Sequence, residues 1–342
     1  MTSATTGAAS AAELEAARLL LDRMGLRPED LLAVPRPSRS VPTFAEYIPI
    51  VSGAVSTGTR RAYGSYWKRI EEHWGKRRLD EPTPTEIKQL VQHIRSNVVV
   101  RRNARGGRSA AEHLVAALRC LYHHAEDDNL IDPHDNPAKK VAKPRRLPST
   151  RRAVADNRLD EINHTAATTG NDPELDTLIL RLHTETACRR GGALNLRPQD
   201  LDTTQCLIYL REKGETARWQ PISPTLIHHL QQHAEQRHAP RDGQLLRYAR
   251  GKPITTRRYD HLWERLGKHL PWVATQQISI HWLRHTTLTW VERNFGFAVA
   301  RAYAGHTDSA NDAGTTTTYV RATTEEVAKA VAALTNEPHP LA

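Results

Sequence analysis

The sequence predicts a mainly α-helical protein of two domains, the second of them α+β and carrying a small β-hairpin. Three observations lead there. Apolar residues recur at helical spacing through residues 42–136, and a proline-broken basic stretch at 137–153 interrupts them. Beyond it, two short β-like runs flank a Lys-Gly turn among further helical segments. A chain of 342 residues is long enough for two domains, and its 39% hydrophobic and 25% charged residues are an ordinary globular mix.

Residues 1–41 read as an N-terminal helical extension. An Ala/Ser-rich lead runs into a helix from Ala11 to Met24, followed by a segment punctuated by Pro28, Pro35 and Pro37. A tether or docking helix is its plainest reading. Within 42–136, Tyr63, Trp67, Ile70 and Trp74 form the stripe of a helix from Thr57 to Trp74. Ile87, Leu90, Val91 and Ile94 place a helix over Thr85 to Ile94, and Leu114, Leu118, Leu121 and Ala125 another over Ser109 to Ala125. Between those two lies a glycine-containing basic loop with Arg101, Arg102, Arg105 and Arg108 and no acid. From 154 to 342 the expected elements begin with a helix around Leu175–Leu182 and strands at Cys206–Leu210 and Arg218–Ile222. A helix opened by Ser223-Pro224 follows, then helices near 256–269, 281–293 and 323–334.

The formal net charge of +10 and pI of about 9.7 favour a polyanionic partner, because each Lys or Arg laid on a phosphate releases condensed counterions. The stretch 137–153 concentrates this charge in seven Lys or Arg, among them Lys139, Lys140, Lys143, Arg145 and Arg146, with no acid between Asp135 and Asp156. A proline-stiffened basic strap of this kind suits wrapping a duplex; its blander reading is a solvated linker. Cys120, Cys188 and Cys206 are odd in number and far apart, which implies no disulfide framework. No apolar run reaches membrane-spanning length, and the first residues lack the basic start and apolar core of a signal peptide, so a cytoplasmic protein without membrane contact is expected. Eighteen histidines raise the question of a metal, yet there is no C-x-x-C and no H-E-x-x-H. Adjacent residues of a helix point about 100° apart, so the doublets His123-His124 and His228-His229 do not chelate from one face. No metal and no cofactor are expected.

Four separated elements share one chemical theme: Arg189 in T-A-C-R-R-G-G-A-L, Lys213 at the hairpin tip, His281-Trp-Leu-Arg284-His285 opening a helix, and Ala304-Gly305-His306 followed by Tyr319. Singly, each is an ordinary surface or core residue. In this order they resemble the tyrosine recombinase (phage integrase) family, and Lys213-Gly-Glu-Thr-Ala-Arg218-Trp-Gln-Pro221-Ile is similar to the family's K-G-x-x-x-R-x-x-P-[LI] run. The resemblance covers nearly all of 154–334. It implies a two-domain DNA clamp, with 42–136 as a helical core-binding domain, 137–153 as a basic interdomain linker, and 154–342 as the α+β catalytic domain with a C-terminal helix. The implied activity is site-specific recombination of double-stranded DNA by a homotetramer at the nucleoid, through a 3′-phosphotyrosyl intermediate. Whether accessory DNA-bending or directionality proteins take part stays open.

The residue types fit that chemistry. Cutting DNA without metal or water needs a nucleophile that stores the phosphodiester energy covalently, and a phenol does so if its proton, held with a pKa of about 10, is drawn off. Two guanidiniums suit the charged transition state, always charged and bidentate, which assigns Arg189 and Arg284. By resemblance Lys213 protonates the leaving 5′-oxygen and Tyr319 is the nucleophile, while His281 and His306 bind the phosphate and move protons, their order unassigned. The register T-x-x-R selects Arg189 over Arg190. Two departures stand out: Gly192 occupies the place where members often carry an acid, and the stretch from His306 to Tyr319 is longer than the family spacing by about four residues, at small cost in stability. The alternatives are a catalytically silent DNA-binding regulator on the same fold and a type IB-like topoisomerase.

Overall fold

The computed structural model describes residues 10–25, 40–97, 107–145, 151–212, 216–306 and 322–342. The chain divides into two compact units, Met1–Pro148 and Ser149–Ala342.

The first unit is helical. Helix α1 (Ala11–Met24) has a capping box between Ser10 and Glu13 and buries none of its side chains. Helices α2 (Phe44–Ala54), α3 (Thr57–Trp74), α4 (Pro84–Ser96) and α5 (Arg108–Asp127) build one core. Thr43 and Thr83 open α2 and α4 with the reciprocal Thr–Glu caps that satisfy two orphan N–H groups each. The stripes Phe44/Tyr47/Ile48/Val51, Trp67/Ile70/Trp74, Ile87/Leu90/Ile94 and Leu114/Leu118/Leu121 converge, with Trp67 Nε1 donating to the Ala117 carbonyl at 3.1 Å. Gly107 enters α5 at φ 73 with the Arg95 carbonyl where a Cβ would lie, so glycine is required twice over.

Part of the stretch 137–153 belongs to this core. Ala138 and Val141 are buried, their carbonyls accept hydrogen bonds from Arg119, and Lys139 pairs with Glu126 at 2.8 Å. The strap read from composition is therefore anchored at its start.

The second unit wraps helices around a small antiparallel sheet. Helices α6 (Asp156–Thr168), α7 (Pro173–Thr186) and the short α8 (Arg190–Leu194) precede the strands β1 (Leu201–Asp202), β2 (Leu207–Arg211) and β3 (Ala217–Pro221), ordered β1-β2-β3. Helices α9 (Pro224–Gln236), α10 (Thr256–His269), α11 (Pro271–Gln276), α12 (Ile280–Tyr303) and α13 (Thr324–Thr335) follow. The hairpin pairs Tyr209 with Trp219 and Leu210 with Arg218. Ile208 and Leu210 face the core with Leu175, Ile179, Leu230, Leu246 and Tyr259. Helix α12 runs ten residues past the predicted 293 but breaks at Gly296, whose φ of 83 no helical residue shares. A second apolar cluster joins Val291, Val299 and Tyr303 of α12 to Val327, Ala330 and Val331 of α13.

Candidate active site

The sharp end of α7 begins the site. Ala187 takes a left-handed conformation (φ 49), and Cys188 donates its N–H to the Thr186 hydroxyl at 3.1 Å. The chain so turned delivers Arg189 as the residue before α8. The Arg189 backbone N–H and its guanidinium both donate to Glu212, at 2.5 and 2.8 Å. Arg190 points elsewhere, toward Asp260 at 3.7 Å.

Arg284 rises from the second turn of α12 and is buried. Its guanidinium donates to the carbonyl of Ala187 and, at 2.8 Å, to that of Ala304. It thus ties the turn before Arg189 to the end of α12. Burial and the neighbouring charge of Arg189 pull the Arg284 pKa down to about 10, which leaves it cationic at neutral pH.

The hairpin closes the arrangement. Arg218 donates to Glu212 at 2.9 Å and to the Tyr303 carbonyl at 3.1 Å. Gly305, at φ 64, gives its missing side chain's space to the Arg218 guanidinium, so the Gly of Ala-Gly-His is fixed by both backbone and packing. His306 follows, exposed, its N–H donating to the Arg301 carbonyl at 3.2 Å. Its pKa lies below the ordinary histidine value, first through partial desolvation of the ring and then through the charges of Arg284 and Arg189. His281, exposed at the start of α12, is likewise lowered, by partial desolvation of the ring and then Arg151, with its ring edge-on to His285 at 5.6 Å between centroids. In both rings the shift favours the neutral form, in which one nitrogen accepts and the other donates a proton.

Arg189, His281, Arg284 and His306 are therefore drawn together from three separate stretches of chain. Lys213 and Tyr319 lie outside the described residues, as do Arg101, Arg102, Arg105 and Arg146. Arg108, Lys139, Lys140, Lys143 and Arg145 are exposed in the first unit. Glu212 was not singled out from sequence, and Arg218 was quoted there only as part of the hairpin run, without a role at the site. Among the described residues, no three His, Cys, Asp or Glu side chains group as metal ligands, and no helix is long and apolar enough to cross a membrane.

The profile of the phage integrase family matches residues 152–326, about half the chain, and the chain belongs to that family. It is a site-specific DNA recombinase of the tyrosine type. No curated protein matches the sequence. Among solved structures, a lambda integrase tetramer bound to a Holliday junction is similar at a TM-score of 0.61 and 15% identity, over 90% of this chain and 91% of that one. A Tn1549 transposon integrase bound to circular intermediate DNA is similar at 0.58 and 14%, over 78% and 92%. The XerH site-specific recombinase bound to palindromic difH is similar at 0.59 and 13%, over 78% of each chain. At these identities the likeness is one of fold.

Proposed function

We propose that the protein cuts and rejoins double-stranded DNA with Tyr319 as nucleophile and with Arg189, Lys213, His281, Arg284 and His306 as the groups that act on the phosphate. The observation that supports this most is the meeting of Arg189, Arg284, His281 and His306 in one place, inside the segment that matches the family profile.

The Tyr319 oxygen attacks the scissile phosphorus and loses its proton to an imidazole, His281 or His306. Arg189 and Arg284 hold the two non-bridging oxygens as negative charge grows on them. The bond to the 5′-oxygen breaks as Lys213 gives that oxygen a proton, leaving a 3′-phosphotyrosine and a free 5′-hydroxyl. Attack by the 5′-hydroxyl of a partner strand reverses each step and returns the proton to Tyr319. No external energy source enters, because one ester bond replaces another.

On this reading residues 42–136 are the core-binding domain, and 137–153 form a strap along the backbone of the duplex. Arg101, Arg102, Arg105, Arg108, Lys139, Lys140, Lys143, Arg145 and Arg146 contribute phosphate contacts. Four protomers assemble on two duplexes, and the protein works at the nucleoid in the cytoplasm. The silent-regulator alternative lacks a reason to retain both arginines with Tyr319.

Nicked duplex from DNA flanking the protein's own gene, incubated in EDTA with wild type and Tyr319→Phe, separates these readings on a denaturing gel. Wild type is expected to give a protein–DNA adduct, and Tyr319→Phe is expected to bind without one. Tight binding with no adduct from either protein would favour the regulator.

A further inference from the structure

Glu212 has no exposed side-chain surface, yet it is charged and stands among cations. It accepts from the Arg189 backbone N–H at 2.5 Å, from the Arg189 guanidinium at 2.8 Å and from Arg218 at 2.9 Å. Burial by itself would raise its pKa, but the charges and hydrogen bonds of Arg218 and Arg189 outweigh burial and hold it below the ordinary glutamate value. Its own N–H donates to the Thr216 carbonyl at 2.8 Å, which makes it the neck of the hairpin whose next residue is Lys213.

Gly192 explains how this carboxylate fits. It lies in α8, three residues after Arg189, with a helical backbone that any side chain tolerates. A Cβ built there meets the Glu212 Cγ at 3.1 Å and Oε1 at 3.2 Å. Glycine therefore supplies space at this position and no special dihedral. The room left by the absent side chain is filled by the carboxylate that reaches in from the hairpin.

Arg284 feels the positive charges of both Arg189 and Arg218. Three guanidiniums gathered in one site repel one another unless a counter-charge sits behind them. A carboxylate placed there occupies one edge of Arg189 and leaves the other donors of the fork for a ligand.

We propose that Glu212 is the positioning residue of this site: it takes the place left open at Gly192, and aims Arg189 at the scissile phosphate. This rests on the recombination reading above. It assigns Glu212 no proton transfer and no contact with DNA.

The test is the single-turnover rate of covalent adduct formation on the nicked duplex, with protein in excess so that all DNA is bound, alongside the Kd for the same DNA. Glu212→Gln keeps the shape and removes the charge. It is expected to slow adduct formation about 10²-fold, the scale of a slightly misaimed reacting group, with little change in Kd. Gly192→Asp combined with Glu212→Ala returns a carboxylate from the other side and is expected to recover most of that rate. Gly192→Ala alone covers the case in which Glu212→Gln folds poorly. Alanine favours the helix, so the thermal midpoint holds or rises, while crowding of Glu212 slows adduct formation by roughly tenfold.

Wild-type rates for Glu212→Gln, or for Gly192→Ala when Glu212→Gln does not fold, would overturn the positioning role and leave the recombination reading intact. A slow Glu212→Gln that the paired exchange does not restore would overturn the replacement of position 192 by Glu212. No adduct from the wild type would overturn the recombination reading and this proposal with it.

Discussion

His183 lies fully buried in the last turn of α7, with Nδ1 on the Cys188 carbonyl at 3.0 Å and Nε2 on the Tyr259 hydroxyl at 3.1 Å. Burial pulls its pKa from 6.5 to about 4. A histidine depressed in the fold is protonated first in the unfolded chain, so its contribution is whole above 6.5 and is lost as pH falls toward 4. The full loss is roughly 3 kcal/mol. The thermal midpoint should therefore fall between pH 6.5 and pH 4, and His183→Gln should flatten part of that fall; a profile identical to wild type would contradict the assignment. Arg189, Arg284 and His306 were legible in sequence because each carries a local signature, T-x-x-R, H-x-x-R or Gly-His. Glu212 was not, since its partners Arg189 and Gly192 lie about twenty residues away and only the fold brings a hairpin neck beneath a short helix.

Among the elements, helix α13 packs against its own unit. Val327, Ala330 and Val331 complete a cluster with Val291, Val299 and Tyr303 of the same chain. The residues after α13 continue this anchoring. Glu337 accepts from Arg181 at 2.7 Å and from the Thr225 N–H at 3.0 Å, and the buried His339 ring lies 3.2 Å from the Cys206 carbonyl. Deleting residues 324–342 strips an apolar surface and unpairs buried polar groups, so loss of soluble protein is expected in an expression and melting assay. A soluble truncation that still cleaves single sites would instead assign the segment to assembly. Helices with clean stripes, such as α3 and α10, were legible from periodicity. Helix α2 was not singled out from sequence: it holds Pro49 and Gly53, residue types that disfavour a helix interior, although the Thr43–Glu46 cap and the Phe44/Tyr47/Ile48/Val51 stripe were present. The continuation of α12 past 293 was hidden by Gly296, which breaks the helix without ending it.

For the whole molecule, the net charge of +10 has to act through exposed cations, and Lys140, Lys143 and Arg145 are exposed beyond the anchored Ala138. Affinity for duplex DNA should fall steeply with salt, and replacing each of these with Ala should lower the log–log slope by about 0.9, one phosphate contact each. Fluorescence anisotropy between low and moderate salt reads this directly, and an unchanged slope would remove the strap from the interface. Lys139, already paired with Glu126, should change it less.

The central claim is that Tyr319 becomes covalently joined to DNA, and peptide mapping of the trapped adduct tests it most directly. Trypsin releases Ala302 to Arg321 as one peptide, which contains Tyr319 and also Tyr303. Tyr303 is fully buried, its hydroxyl given to the Glu185 carbonyl, so the two tyrosines are not interchangeable nucleophiles. After nuclease digestion, fragment ions should place the nucleotide mass on Tyr319. A nucleotide on any other residue, or an adduct that persists in Tyr319→Phe, would contradict the account.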